Sequence, residues 1–143
     1  MDELFAKYRR SFDKIVGVHI RHGDYKKWES GRHFFETDAY VEAVKKSVLA
    51  SHTKTLIIVV SDTEIPEGIF TETPCVQGPG TEIGDLYTLS KCDAIVGPLS
   101  TFNLWASFFG EVPRYEMRRS DSGLGAVPVG ASKDLSEIVI YAG

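Results

Sequence analysis

Two mainly aliphatic runs, rich in β-branched residues, constrain the fold of this chain most strongly. They cover residues 15–20 and 55–60, and each ends in polar side chains, at 21–24 and at 61–62. Continuous apolar runs of this length are typical of strands that are covered on both faces, as in a parallel sheet. The carboxyl ends of such strands share one edge, where ligands bind in open α/β sheets. The polar residues at the two strand ends are therefore candidates for a ligand-binding site.

Helical patterns alternate with the strands along the rest of the chain. The expected helices cover residues 2–13, 81–91 and 100–109, with a further one capped by Thr37 or Asp38 whose apolar face includes Tyr40, Val41, Val44, Val48 and Leu49. Further strands are expected at residues 74–76, 93–96, 112–117 and 138–141, and the small-residue-rich segment 120–132 is expected to form a loop. This alternation predicts an α/β fold with an open, mainly parallel sheet. We expect residues 1–143 to form a single domain.

The composition narrows the classes of function. A net charge of −4 provides no general positive field for nucleic acid, so we expect no nucleic-acid partner. The two cysteines, Cys75 and Cys92, lack a surrounding ligand set and indicate neither a disulfide scaffold nor a zinc site. The charged N-terminus does not look like a secretory signal, and the longest uncharged run, 94–110, is too polar for a membrane span. These features predict a cytoplasmic protein.

The end of the first strand carries the most informative pair of side chains. Alternation along the strand places His19 and Arg21 on one face, opposite Val18 and Ile20. An Arg fixed by a strand can bind two phosphate oxygens and keeps its charge at any working pH. The alternative is structural, because Arg21 could instead form an internal ion pair with Asp24 or Asp62.

A metal site is a further reading of the same region. His19, His22 and Asp24 have the side chains that metals bind. However, two histidines three residues apart at a strand end face different ways, and no other acidic or cysteine cluster supports them. We therefore expect no metal.

Two helix starts could also serve a ligand. Residues 97–103 follow a strand and open a helix, where free backbone N–H groups and the hydroxyls of Ser100 and Thr101 can receive phosphate; a simple N-cap is the alternative. Asp85 could accept two hydrogen bonds from guanine or be a solvated carboxylate of the first helical turn. Asp62 could likewise contact ribose or base, or begin a turn.

In their order, these segments resemble the fucosyltransferase superfamily, especially the α-1,2-fucosyltransferases of glycosyltransferase family 11. Residues 16–25 are similar to the first family motif, H-x-R-R-x-D, and residues 58–62 are similar to the second, a hydrophobic strand ending in Ser-Asp. Residues 85–93, continued by 100–105, resemble the third motif. The similarity covers nearly the whole chain. One departure is that His22 stands where the family usually has a second Arg.

The resemblance implies the C-terminal, Rossmann-like half of a GT-B enzyme, with helices on both faces of the sheet. Such a domain holds GDP-fucose as donor substrate and needs no metal or other cofactor. By this resemblance Arg21 binds the β-phosphate, His19 and Asp85 contact the nucleoside, and Asp62 lies near the guanosine. The remaining donor-binding residues implied are His22 and, for support of the diphosphate, Ser100, Thr101, Phe102 and Asn103.

Transfer requires a base for the acceptor hydroxyl, and by the same resemblance Glu29 and Asp24 are the catalytic candidates beside Arg21. We expect the N-terminal acceptor domain to be absent from these 143 residues. Fucose transfer to a glycan hydroxyl would then need another domain or partner. The alternative is a non-catalytic nucleotide-binding or interaction module. The aromatic side chains Trp28, Phe34, Phe35, Trp105 and Phe109 either coat a surface that promotes homo-oligomers or belong to the core.

Overall fold

The computed structural model describes residues 2–47, 53–120 and 123–130. Four α-helices alternate with six strands in these residues. In chain order they are α1 (Asp2–Ser11), β1 (Lys14–Ile20), α2 (Thr37–Ser47), β2 (Thr55–Ser61), β3 (Cys75–Gln77), α3 (Glu82–Ser90), β4 (Ala94–Gly97), α4 (Thr101–Gly110), β5 (Arg114–Ser120) and β6 (Gly123–Gly130). Two short 3₁₀ helices, Gly23–Lys26 and Trp28–Gly31, follow β1.

The strands form one sheet in the order β3-β2-β1-β4-β5-β6. The first five strands of this order are parallel, and β6 pairs antiparallel with β5. Strand β1 lies at the centre, with Lys14 opposite Thr55 of β2 and Val16 opposite Ala94 of β4. The order therefore reverses between β1 and β4, which is the position where open α/β sheets bind ligands. The predicted open, mainly parallel Rossmann-like α/β fold is confirmed.

Helices cover both faces of the sheet. On one face, α2 packs through Tyr40 and Val44 against a cluster that includes Val16, Val18 and Val96. On the other face, α1 contributes Phe5 to a cluster with Ile15, whereas α3 and α4 pack on Val60 and Ile95. Successive residues of β1 therefore alternate between the two faces, and both are buried. This explains why residues 15–20 are apolar apart from His19 near the carboxyl end of the strand.

The expectation of a loop over residues 120–132 was wrong. Strand β5 continues to Ser120, and β6 occupies Gly123–Gly130, with Tyr115 opposite Pro128. Glycine and proline made this segment look irregular, but β6 is the last strand of the sheet that the described residues form, and a strand in that position tolerates proline because one side makes no ladder hydrogen bonds. The predicted positions of Val48 and Leu49 and the predicted strand 138–141 lie outside the described residues. Within the described ranges, no helix is both long and apolar enough to cross a membrane.

Helices α3 and α4 approach each other closely at a glycine. A Cβ atom on Gly110 would lie 2.0 Å from the backbone carbonyl oxygen of Ser90. We expect Gly110→Ala to lower the free energy of unfolding by about 1–3 kcal/mol, because backbone atoms must move apart. Urea unfolding measures this loss. Glu111→Gly is the control, because Glu111 has φ 54° and a glycine there relieves strain. A Gly110→Ala protein as stable as the wild type would contradict the close contact.

Candidate functional site

A cleft of about 270 Å³ lies at the carboxyl edge of the sheet. It is bounded by the ends of β1 and β2 and by the first turns of α3 and α4. The residues that line it are His19, Arg21, Val60, Ser61, Asp62, Gly80, Glu82, Asp85 and Phe102. Segments far apart in the chain therefore meet at one edge, as the parallel topology requires. Five of the residues selected from the sequence, His19, Arg21, Asp62, Asp85 and Phe102, line this cleft.

Arg21 is held at the cleft by two carboxylates. Its Nη2 lies 3.1 Å from Asp24 Oδ1, and its Nη1 lies 3.5 Å from Asp62 Oδ2. The guanidinium also lies over the ring of Tyr25, 5.1 Å from the ring centroid. Both ion pairs of the structural alternative are thus present. Because the side chain remains 33% exposed, its charge also remains accessible to an anion in solvent.

Asp62 fastens the end of β2 to the chain that leaves β1. Its Oδ1 accepts a hydrogen bond from the backbone N–H of His22 at 2.9 Å. Space beside the carboxylate is limited, since a Cβ atom on Gly23 would lie 2.4 Å from Asp62 Oδ2. The glycine of the first motif therefore has a steric role. It allows Asp62 to reach both His22 and Arg21.

A methyl group added at Gly23 should disrupt the hydrogen bond between Asp62 and the backbone of His22. We expect Gly23→Ala to lower the free energy of unfolding by about 1–3 kcal/mol, because the displaced carboxylate loses its hydrogen bond to the backbone. Thermal and urea unfolding measure the effect. In an Asp62→Ala background the same Gly23→Ala change should cost little, since the atom that it would strike is gone. Equal losses in both backgrounds would show that the clash with Asp62 is not the cause.

His19 is buried against the start of α4. Its ring lies 5.0 Å from the ring of Phe102, and its Nδ1 lies 3.2 Å from Asn103 Nδ2. Burial, with smaller contributions from the positive charges of Arg21 and Arg114, lowers the pKa of His19 to about 3. The imidazole is therefore neutral near pH 7. A neutral imidazole offers a ligand one donor or one acceptor and adds no charge to the cleft.

Asp85 lies on the opposite side of the cleft, in the first turn of α3. One carboxylate oxygen accepts a hydrogen bond from the backbone N–H of Gly80 at 3.0 Å. Burial raises the pKa of Asp85, and the hydrogen bond from Gly80 opposes that rise. Asp85 also lines an adjoining cavity of about 470 Å³, which shares Val60, Ser61 and Gly80 with the cleft. The solvated carboxylate of the alternative reading is not what the structure shows, because Asp85 is only 8% exposed.

The start of α4 combines a cap with a buried amide. Ser100 is the N-cap, and its Oγ accepts a hydrogen bond from the Phe102 N–H at 3.1 Å. Thr101 is partly buried and does not line the cleft, whereas Asn103 is 1% exposed and donates to the Pro98 carbonyl at 2.9 Å. The N-cap reading of Ser100 is therefore confirmed. Within the segment 100–103, Phe102 lines the cleft, and the buried amide of Asn103 contacts His19 Nδ1.

Sequence reasoning missed Arg114, Glu116 and Arg118. Arg114 Nε donates to Asn103 Oδ1 at 3.1 Å, and Arg114 Nη2 lies 3.3 Å from Glu116 Oε1. Arg118 Nε lies 2.6 Å from the other oxygen of Glu116. A signal was available for Arg114 and Glu116, because alternation along the expected strand places residues 114 and 116 on one face. Charges at such positions need partners inside the protein.

The structure does not bring His22 or Asp24 into the cleft lining. The His22 ring packs against Phe34 and Tyr40, and its Nε2 donates to the Phe35 carbonyl at 2.9 Å. The Asp24 side chain is 71% exposed and contacts Arg21. In the described part of the chain, no group of three or more His, Cys, Asp or Glu side chains could hold a metal ion.

Glu29 also lies outside the cleft lining. Its Oε2 is 2.8 Å from His33 Nε2, and it adopts a left-handed backbone conformation with φ 47°. The aromatic side chains that could coat a surface differ in their exposure. Phe35 is 1% exposed and belongs to the core. Phe109 is 61% exposed and stacks on Trp105 at 5.2 Å. Whether Glu29 and these aromatic side chains serve function stays a prediction.

Residues 5–112 match the sequence profile of glycosyl transferase family 11. The chain belongs to this family. The match covers β1 to α4, and therefore every residue that lines the cleft. It confirms the resemblance to the fucosyltransferase superfamily that the motifs at β1, β2 and α3 indicated. No curated protein sequence matches this family 11 chain significantly.

Solved fucosyltransferases have a similar fold. The structure of fucosyltransferase NodZ from Bradyrhizobium is 16% identical with a TM-score of 0.51, and the match covers 90% of this chain and 48% of that one. A mutant of Arabidopsis thaliana FUT1 in complex with GDP is 15% identical with a TM-score of 0.52, and the match covers 87% of this chain and 36% of that one. The family 11 chain thus spans about half, or less, of the length of these enzymes.

Proposed function

We propose that this family 11 domain binds a GDP-sugar, GDP-fucose, as a donor substrate. The observation that carries the proposal is the convergence of Arg21, His19, Asp62 and Asp85 on one cleft at the point where the strand order reverses. The cleft therefore contains a cation, a neutral imidazole and three carboxylates, because Glu82 lines it as well. These groups suit an anionic ligand that also carries hydrogen-bond donors, as a guanine nucleotide does.

In this proposal Arg21 binds the β-phosphate. Its guanidinium is accessible, and in the structure it contacts two carboxylate oxygens in the way that it would contact phosphate oxygens. When the glycosyl bond breaks, negative charge develops on the GDP leaving group, and a fixed Arg can stabilise that charge without a metal ion. The positive end of the α4 helix dipole, at Phe102, would add to this stabilisation.

The nucleoside would lie between His19 and Asp85. Asp85 is buried and has acceptor capacity beyond its hydrogen bond from Gly80, so it suits the N–H groups of guanine. The adjoining cavity of about 470 Å³ offers space beyond the cleft. Asp62 would contact the guanosine from the end of β2. The solved FUT1 mutant with a similar fold is a complex with GDP, which supports a nucleotide at this type of domain.

We further propose that the domain belongs to a GT-B arrangement and transfers fucose to a glycan hydroxyl when an acceptor domain or partner is present. Asp24 or Glu29 would then serve as base. One observation favours a second candidate, a nucleotide-binding module without transfer. Neither carboxylate lines the cleft, since Asp24 contacts Arg21 and Glu29 contacts His33. A base would have to move relative to the donor, or come from the acceptor side.

Calorimetric titration with GDP, GDP-fucose and GDP-mannose tests the donor site. We expect GDP to bind and to raise the melting temperature, and GDP-fucose to bind at least as tightly as GDP-mannose. No binding and no stabilisation at millimolar GDP would exclude both candidates. If GDP binds, turnover of GDP-fucose with simple galactosides separates a transferase from a binding module. Loss of that turnover in Glu29→Gln or Asp24→Asn, with GDP affinity retained, would identify the base.

A further inference from the structure

A buried row of polar side chains connects β5 to the cleft. It runs from Glu116 through Arg114 and Asn103 to His19, and each of these residues is at most 9% exposed. The contacts along it are 3.3 Å from Glu116 to Arg114, 3.1 Å from Arg114 to Asn103 and 3.2 Å from Asn103 to His19. The proposed function assigns no role to Arg114 or Glu116. Burying two charges is costly, which makes the row a feature that needs an explanation.

Two fixed partners determine how the Asn103 amide is oriented. Arg114 Nε can only donate, so the atom that it contacts must be the oxygen Oδ1. The Pro98 carbonyl can only accept, so the atom that contacts it at 2.9 Å must be the nitrogen Nδ2. Both partners favour the same orientation, and loss of either one weakens that preference. Together they leave the second hydrogen of Nδ2 directed at His19.

This orientation in turn determines where His19 carries its hydrogen. His19 Nδ1 faces an N–H group of Asn103, so Nδ1 must accept and cannot be protonated. The ring hydrogen therefore resides on Nε2. Among the described residues no partner for Nε2 is found, and His19 lines the cleft. The low pKa of His19 agrees with this neutral form.

We propose that Arg114 is a positioning residue, which holds the Asn103 amide in one orientation and so keeps the hydrogen of His19 on Nε2, as a donor for the ligand in the cleft. The ligand part of this statement rests on the proposed function. The tautomer of His19 does not, because it is a property of the unliganded protein. A ligand would have to place an oxygen or nitrogen acceptor opposite His19.

Glu116 has a defined part in this arrangement. It compensates the charge of Arg114, while Arg118, 52% exposed, contacts the other oxygen of Glu116 from the surface. The charged groups around His19 are Arg21, which directly follows β1, Arg114 on β5, and the cleft carboxylates Asp62, Glu82 and Asp85. Arg114 is the one among them whose N–H contacts the amide that faces His19.

NMR of protein labelled with ¹⁵N in the histidine rings tests the proposal without nucleotide. Correlation of ring carbon-bound hydrogens with ring nitrogens distinguishes the two neutral tautomers, and we expect the Nε2–H form of His19 in the wild type. In Arg114→Met we expect a second tautomer to appear, because the amide can then turn. Arg114→Lys, which keeps a donor, should restore the wild-type pattern at least in part. Asn103→Asp should move the hydrogen to Nδ1, because a carboxylate cannot donate.

Arg118→Met is the matched control, since Arg118 lies on the same strand but contacts only Glu116 among the groups of the row. It should leave the His19 signals unchanged. If GDP binds, Arg114→Met should also raise its Kd by about tenfold, the size of one weakened hydrogen bond. Nδ1–H in the wild type, or an unchanged tautomer in a folded Arg114→Met protein, would overturn the proposal. Loss of the folded state in every Arg114 variant, including Lys, would assign Arg114 a structural role and overturn it as well.

Discussion

Arg21→Met is expected to raise the Kd for GDP by about 100-fold. In the proposed complex the guanidinium makes charge-assisted hydrogen bonds to the β-phosphate, and hydrogen bonds to charged groups contribute roughly 1.5–3 kcal/mol each. Methionine keeps much of the length of the side chain and its contact with Tyr25 but removes the charge. It also leaves Asp62 facing the cleft without its partner, which adds repulsion of the diphosphate. Calorimetry with purified protein measures the loss.

Two comparisons make this result specific. Guanosine lacks the diphosphate, so its affinity should change far less than that of GDP. Arg9→Met is the matched control, because Arg9 forms an ion pair with Asp93, neither residue lines the cleft, and GDP should bind as in the wild type. Arg21→Lys keeps the charge without the planar fork and should give an intermediate Kd. An equal loss for guanosine and GDP would place Arg21 away from the phosphates.

The second large effect concerns acid stability. The pKa of His19 is about 3 in the folded protein, against 6.5 for an ordinary histidine. Between these values the unfolded chain takes up a proton that the native protein refuses, so the free energy of unfolding falls as the pH falls from 6.5 towards 3. The contribution approaches about 1.4 kcal/mol for each pH unit. Above pH 6.5 it is fully present and no longer changes.

His19→Asn should remove this pH dependence. The Asn oxygen can take the place of Nδ1 as acceptor from Asn103, while the titrating ring is gone. The protein has four histidines, and the other three are common to wild type and variant, as are the carboxylates. Their contributions therefore largely cancel when urea unfolding of the two proteins is compared from pH 7 to pH 4. We expect the difference in stability to change by several kcal/mol over this range. Parallel curves would contradict a buried, neutral His19.

The sequence was most informative where secondary structure is decided locally. The apolar runs that became β1 and β2 predicted covered parallel strands, and the helix expected at 81–91 is α3, Glu82–Ser90. Strand β6 could not be predicted in this way. Its residues, with Gly125 and Pro128 among them, have little strand propensity, and pairing with β5 provides what the local sequence does not. A tertiary partner decided the outcome.

The residues of the candidate site were likewise predicted only in part. Alternation correctly placed His19 and Arg21 on one face, and the strand ends correctly brought Asp62 to the cleft. The same alternation gives His22 the face of Val18 and Ile20, where its ring contacts Phe34, but the family motif had suggested a donor-binding role. Arg114 was missed because its partner Asn103 lies on α4, and no spacing along the chain reveals a contact between a strand and the helix before it.

The central position of β1 affects how the protein can be synthesised. Both neighbours of β1 come later in the chain, β2 from Thr55 and β4 from Ala94. A nascent chain that leaves the ribosome therefore carries an apolar strand with neither edge paired, and contacts so distant in sequence form slowly. We expect residues 15–20 to be a chaperone-binding segment during translation. Strand β1 is paired on both edges only after the β4 segment has emerged from the ribosome.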